Sequence, residues 1–148
     1  MSPDLDKQLC EKYPKIFRDR NGTTQETCMA WGFAHGDGWF NIIDTLCRSI
    51  QNHADQKRKR EPFAGLDDEE FDELHQPIAA QVKEKFGGLR FYISNGDDVV
   101  YGMISLAENL SYRTCEECGA PGTPRKGAWI RTMCDKCDTS SKNIKVTC

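Results

Sequence analysis

Apolar side chains recur at a helical period in three stretches of this chain and alternate in a fourth. Leu5, Leu9 and Tyr13 follow one another at spacing four, behind Ser2-Pro3-Asp4 and ahead of Pro14. This predicts a helix with proline in its first turn and an exit pinned by Ile16 and Phe17. Trp39, Ile42, Ile43, Leu46, Cys47 and Ile50 keep one face at the 3.6 period and predict a second helix, with Asp37 as its cap. Asn95-Gly96-Asp97-Asp98 turns the chain into another, bearing Val99, Val100, Met103, Leu106, Ala107 and Leu110, which delivers Ser111-Tyr112-Arg113 to the next segment. Residues 82–93 alternate instead. Gly87-Gly88 at their centre predicts a two-residue hairpin turn, because both positions tolerate positive φ. Pairing Phe86 with Leu89 puts Val82, Glu84, Phe91 and Ile93 on one side and Lys83, Lys85, Arg90 and Tyr92 on the other.

The stretches between are more polar. Residues 18–24 hold no apolar side chain and contain the turn signal Asn21-Gly22, so they read as surface loop. From Cys28 to Phe40 the chain is dense in aromatics and glycine. Trp31, Phe33, Trp39 and Phe40 read first as core; the sharper reading is a pocket floored by aromatics, with Trp31 and Trp39 as partner or ligand contacts and His35 and Asp37 beside them. Lys57-Arg58-Lys59-Arg60 is answered, past Pro62, by Asp67-Asp68-Glu69-Glu70-Phe71-Asp72-Glu73. This reads as a solvated linker with mutually compensating charge, and the acids suit the start of a short helix that Pro77 ends or kinks.

Chemistry concentrates near the end. Cys115-Glu116-Glu117-Cys118 and Cys134-Asp135-Lys136-Cys137 are separated by fifteen residues. A two-residue spacing lets both thiolates of a pair reach one ion from a tight turn, and Gly119 permits the backbone that turn needs. Four sulfur ligands with no open position suit one structural zinc. Ala128 to Thr132 is a short strand candidate between the pairs, and the knuckle with its hairpin describes either a treble clef or a zinc ribbon. A His-Asn-His nuclease would place a histidine between the pairs, whereas here none follows His75.

Composition sets the scale. The 148 residues allow one domain or one domain with a metal-held appendage. With 38% hydrophobic residues and a mean hydropathy of −0.67 the core is modest, so an ion holding the last forty residues is physically sensible. The expected organisation is α+β: residues 1–110 as a helical domain with a β-hairpin, 54–78 as a charged variable insertion, and 111–148 as a metal module packed on the domain. The start lacks a basic segment followed by an apolar one, and no apolar run approaches the roughly 18 residues of a membrane span. The expectation is a soluble chain in a reducing cytoplasm, no membrane contact, and Cys10, Cys28, Cys47 and Cys148 as thiols. The formal charge of −3 is uneven, since residues 111–148 hold seven Lys/Arg (Lys142 and Lys145 among them) against four acids. Four thiolates and one Zn²⁺ bring that tail back to about +1, which is little for a segment reading duplex DNA on its own.

Three stretches together carry a resemblance: Gly36-Asp37-Gly38-Trp39, the run from Lys83 to Tyr92, and Ser111 to Gly119 continuing to Trp129-Ile130-Arg131-Thr132-Met133-Cys134. They resemble a group of small bacteriophage and prophage proteins of no established activity, over most of the chain except residues 54–78. The resemblance implies action in the cytoplasm of an infected or lysogenic bacterial cell. It carries over no catalytic residue.

Two classes of function follow. One is a non-enzymatic accessory protein that occupies a host or phage macromolecule, a host-defence component included, through Lys83, Lys85, Arg90 and Tyr92 or through Trp31 and Trp39. The other is a nucleotide or phosphate site, sequestering or cleaving, built from Gly87-Gly88, the basic strand face and the aromatic loop at 31–39. Direct nucleic-acid binding is a third, weaker reading.

Overall fold

A computed structural model describes the backbone of residues 1–143 and the side chains of residues 1–139. Cys148 and Lys145 lie outside the described residues, as does the side chain of Lys142. The elements in chain order are α1 (Pro3–Lys12), β1 (Phe33–Ala34), α2 (Phe40–Arg58), α3 (Asp68–Leu74), β2 (Ile78–Lys85), β3 (Gly88–Ser94), α4 (Asp98–Ser111), β4 (Thr123–Arg125), β5 (Arg131–Met133) and α5 (Asp135–Asn143). The fold is α+β, as the periodicities predict. One sheet has the order β1-β2-β3, with β1 parallel and β3 antiparallel to β2; the other is the hairpin β4-β5.

Helix α1 stops ahead of Pro14 and sends Leu9 into the core, where Tyr13, Ile16 and Phe17 join it. Helix α2 buries Ile43, Leu46, Cys47 and Ile50 at the predicted spacing. Asp44 ties the two helices together. It accepts from Lys12 Nζ at 2.6 Å, from the Tyr13 hydroxyl at 2.7 Å and from Arg48 at 2.9 Å. Burial alone would raise the Asp44 carboxyl, but these donors hold it below its ordinary range. Asp97 plays the same part for α4, capping the Val100 N–H at 3.1 Å while His53 and Lys57 of α2 hold its second oxygen at 2.9 and 3.1 Å.

Asp37 departs from expectation. Its Oδ1 accepts from Ser2 N at 2.6 Å, and residues 37–39 form a 3₁₀ turn whose side chains cap nothing. The charged stretch also departs from a solvated linker. A capping box between Asp67 and Glu70 opens α3, Phe71 is fully buried, and Arg58 pairs with both Asp68 and Asp72 while lying 4.7 Å over the Phe71 ring. The predicted compensation of the two charge blocks is thus realised at Arg58. On α4, Val100, Ile104 and Ala107 face inward, whereas Leu106 and Leu110 stay exposed.

The hairpin forms with a register two residues from the expected one. Val82 pairs with Phe91, Lys83 with Arg90 and Lys85 with Gly88, so the turn residues are Phe86 and Gly87, at φ +55° and +81°. A shift of two keeps every side chain on its face. Val82, Leu89 and Phe91 therefore look into the core with Phe33 of β1, and Lys83, Lys85, Arg90 and Tyr92 look out. The free edge of β3 is covered by α4, since Leu89 N donates to Ser111 Oγ at 2.8 Å and Phe91 N to Glu108 at 3.1 Å.

Candidate metal centre and the seam that holds it

The four cysteines converge. Cys115 and Cys118 lie in a knuckle closed by a hydrogen bond from Gly119 N to Cys115 O at 2.9 Å, with Gly119 at φ +76°. The β4-β5 hairpin then brings Cys134 alongside, and Cys137 follows from the first turn of α5. Knuckle, hairpin and helix in that order, with the second pair at the helix start, is the treble-clef arrangement rather than a ribbon of two knuckles. All four sulfurs lie within 4.8 Å of one another, and Cys118 Sγ stands 3.7 Å from Cys134 Sγ. Tetrahedral bonds of about 2.3 Å to sulfur place ligand atoms ~3.8 Å apart, so the set fits one ion of that kind. Cys137 N donates to Cys134 Sγ at 3.5 Å and lowers that thiol to about 7, whereas the hydrogen bond to Cys134 pushes Cys137 up to about 12. Four crowded sulfurs competing for protons are what a cation resolves. Every donor is sulfur and no histidine stands among them, so the geometry offers a closed site with no place for water or substrate.

The module is fastened to the body by the aromatic- and glycine-rich stretch that holds His35 and Asp37. A Cβ on Gly38 would sit 2.1 Å from Cys115 O and 2.5 Å from Gly119 N, and one on Gly36 would sit 2.4 Å from Glu116 O. Only glycine lets the two backbones close this far. Across the contact Gly38 N donates to Glu116 O at 2.7 Å, Gly36 N to Glu116 Oε1 at 3.1 Å, and the Trp39 indole to Thr114 O at 2.9 Å. Glu116, itself buried, also donates its N–H to Thr132 O at 2.9 Å and accepts from Arg131 Nε at 3.2 Å. Each of these polar atoms of Glu116 has a donor or acceptor opposite it.

A second fastening lies at the hairpin. Gly88 is glycine because a Cβ there would meet the Tyr112 ring at 2.3 Å, and Thr132 Oγ1 donates to Gly87 O at 2.6 Å. Gly87 N is already given to Glu84 at 2.7 Å. The glycine pair is therefore turn and packing, and no phosphate cradle opens there.

The predicted site residues now separate. Cys115, Cys118, Cys134 and Cys137 come together. Trp39 is fully buried and Phe33 nearly so, while Trp31 is 73% exposed, which corrects the aromatic-floored pocket: its members point opposite ways, and Trp39 cannot touch a partner. His35 lies between Phe33 and Trp39, with ring centroids 6.0 and 5.7 Å away, and its Nδ1–H donates to Gly36 O at 2.7 Å. Burial holds its imidazole down at about 4, so it is neutral and enclosed, a core histidine rather than a catalyst. On the outer sheet face, Lys83 Nζ lies 5.6 Å from the Tyr92 ring centroid and Arg90 donates to the Tyr112 hydroxyl at 2.8 Å. Among the described residues Lys83, Lys85 and Arg90 make no ion pair; of the acids of 67–73, Asp68 pairs with Arg58 and Asp72 with both Lys15 and Arg58. Sequence reading missed Glu84, Phe86 and Trp129. Phe86 and Trp129 fall within expected strands; the register puts Phe86 in the turn, and β5 begins only at Arg131, which leaves Trp129 of the expected strand 128–132 in the loop ahead of it.

No protein-family model, curated protein or solved structure matches this chain. Among the described residues no helix is long and apolar enough to cross a membrane.

Proposed function

We propose that this chain is a non-enzymatic binding protein whose four-cysteine cluster holds one structural zinc and whose contact surface is the outer face of the hairpin. The observation that carries the reading is the unanswered charge. Lys83 and Arg90 stand directly opposite each other across the strands, a like-charged pair that disfavours the sheet unless an anion meets it. Most other cations of the body are paired within the chain; these, held on a rigid sheet beside Tyr92, are left for something else. Zinc suits the all-sulfur tetrahedron, and its role is to fix Cys115–Cys137 so that Glu116 and Thr132 can brace the Gly36–Trp39 stretch and the hairpin. The resemblance to phage proteins supplies the setting, the cytoplasm of an infected or lysogenic bacterial cell, with a host or phage macromolecule as the partner.

The test is a pull-down from infected cells with the parent chain and with Lys83→Glu/Lys85→Glu, which spares the Arg90–Tyr112 bond. A partner held by the first and lost by the second, at unchanged zinc content and an undiminished thermal midpoint, supports the reading. A partner retained by the reversed chain removes the basic face from it. Zinc absent from the pure protein removes the metal.

A further inference from the structure

At the tip of the hairpin the backbone does something unusual. Phe86 occupies a turn position at φ +55°, where asparagine or glycine is the ordinary choice and a bulky side chain is strained. The ring at this position is 67% exposed, and Trp129, from the loop before β5, is 72% exposed. Both line one cleft of about 430 Å³, together with Glu84, Lys85, Gly127 and Ile130. A strained aromatic held out in water beside a second one is a costly arrangement for the fold and an ordinary one for an interface.

The cleft is also held in shape. Glu84 Oε2 accepts from the Trp129 indole at 3.2 Å while its Oε1 accepts from Gly87 N at 2.7 Å, so a single carboxylate fixes both walls. Ile130 Cγ2 lies where a Cβ on Gly87 would be 2.9 Å away, closing the floor. A pocket that needs no rearrangement loses little entropy when filled. Lys85 Nζ stands 5.4 Å from the Phe86 ring centroid at the rim, and Lys83 and Arg90 continue from it along the sheet.

We propose that the cleft is the anchor pocket of the recognition surface, taking an aromatic or branched apolar side chain of an acidic protein segment whose carboxylates lie along Lys85, Lys83 and Arg90. This rests on the binding reading above and names the chemistry of its partner. A protein segment is favoured over nucleic acid on two counts. The chain is acidic, at −3 with an isoelectric point near 5.6, where strand-binding proteins are basic. And Glu84 stands on the wall where a base would stack, so a strand with a phosphate on every nucleotide must bring one past that carboxylate, whereas a peptide can seat an apolar side chain there and keep its carboxylates toward Lys85, Lys83 and Arg90.

The experiment is selection from a random twelve-residue displayed peptide library on the intact zinc-loaded chain, with Trp129→Ala/Phe86→Gly as the counter-target. Glycine at 86 relieves the backbone strain, so this variant keeps the turn; zinc content and thermal midpoint confirm that it folds. Enriched peptides are expected to place Asp and Glu around one aromatic or leucine, and to bind the doubly substituted chain about 30-fold more weakly, as loss of a hot-spot tryptophan does. Their affinity should fall with salt and on Lys83→Glu/Lys85→Glu. Peptides that need the lysines but bind the doubly substituted chain equally well overturn the anchor pocket and leave the binding reading standing. No enrichment over the counter-target, or tight binding of oligo(dT) in place of peptides, overturns the acidic protein segment as the occupant.

Discussion

The seam between body and module and the outer face of the hairpin are built from the same residue types, glycines, charged side chains and aromatics, to opposite ends. At the seam every backbone donor of Gly36 and Gly38 meets a Glu116 oxygen, Arg131 answers both Glu116 and Glu117, and the Trp39 indole has its acceptor. On the outer face Lys83, Lys85 and Arg90 pair with no carboxylate among the described residues, and at the hairpin tip beside it Phe86 and Trp129 stand in water. Buried polar groups are matched within the chain wherever possible because an unmatched one costs about 1–3 kcal/mol, and among the described residues the buried side-chain atoms without a hydrogen-bond partner are His35 Nε2 and Arg58 Nε. Exposed ones need not be, so an exposed and unmatched cluster on a rigid frame is where recognition chemistry is to be sought.

The sharpest way to break this contrast is to take away the ion that the four cysteines could hold. If it is the zinc proposed above, such structural sites contribute about 10 kcal/mol of apparent folding free energy, so Cys134→Ser or a strong chelator should unfold the module. Because the seam is shared, amide protection should vanish at Gly38 N–H and at the Trp39 indole as well as beyond Arg113. Protection retained at those two groups in the metal-free chain would mean that the seam does not depend on the knuckle.

Glycine substitutions come next. Gly38→Ala forces a Cβ against Cys115 O and Gly119 N and is expected to lower stability by about 3 kcal/mol. Gly102→Ala on α4 meets nothing within 4 Å and should raise stability by about 0.5–1 kcal/mol through helix propensity. Thermal midpoints that move together, rather than apart, would contradict the seam.

Acid offers a subtler probe. Burial holds His35 near 4 in the fold against 6.5 in the unfolded chain, so its contribution is complete above 6.5 and is lost as the pH falls toward 4, where the unfolded chain takes the proton first. The loss across that window is on the order of 3 kcal/mol. His35→Gln should show a flatter stability profile than the parent between those pH values. Comparing the two chains at each pH cancels acid-driven release of the ion, which both share.

The smallest effect is expected on the outer face. Lys83→Glu/Lys85→Glu should not lower stability, and by turning the repulsive Lys83–Arg90 pair into an attractive one should raise it by at most about 1 kcal/mol. A drop comparable with that of Gly38→Ala would place the face on the structural side of the comparison.

Much of this was legible in the residues. The helical and alternating periods located α1, α2, α4 and the hairpin, because burial selects side chains at the period of the backbone and leaves that period in the sequence. The two Cys-x-x-Cys pairs located the cluster, since chelation by a tight turn dictates the spacing. What the sequence could not carry was anything set by contact between segments distant along it. Gly36 and Gly38 are explained by Cys115, Glu116 and Gly119, some eighty residues away, and until those backbones meet they look like any flexible loop. Strand β1 has two residues and no alternation to read, so only its pairing with Val82 and Lys83 reveals it. The hairpin's faces survived a two-residue error in register because side chains alternate with period two. The turn did not, and with it went Phe86, whose exposure depends on where the chain reverses. Local period fixes what a segment becomes; which polar groups stay unmatched depends on what the folded chain brings against them.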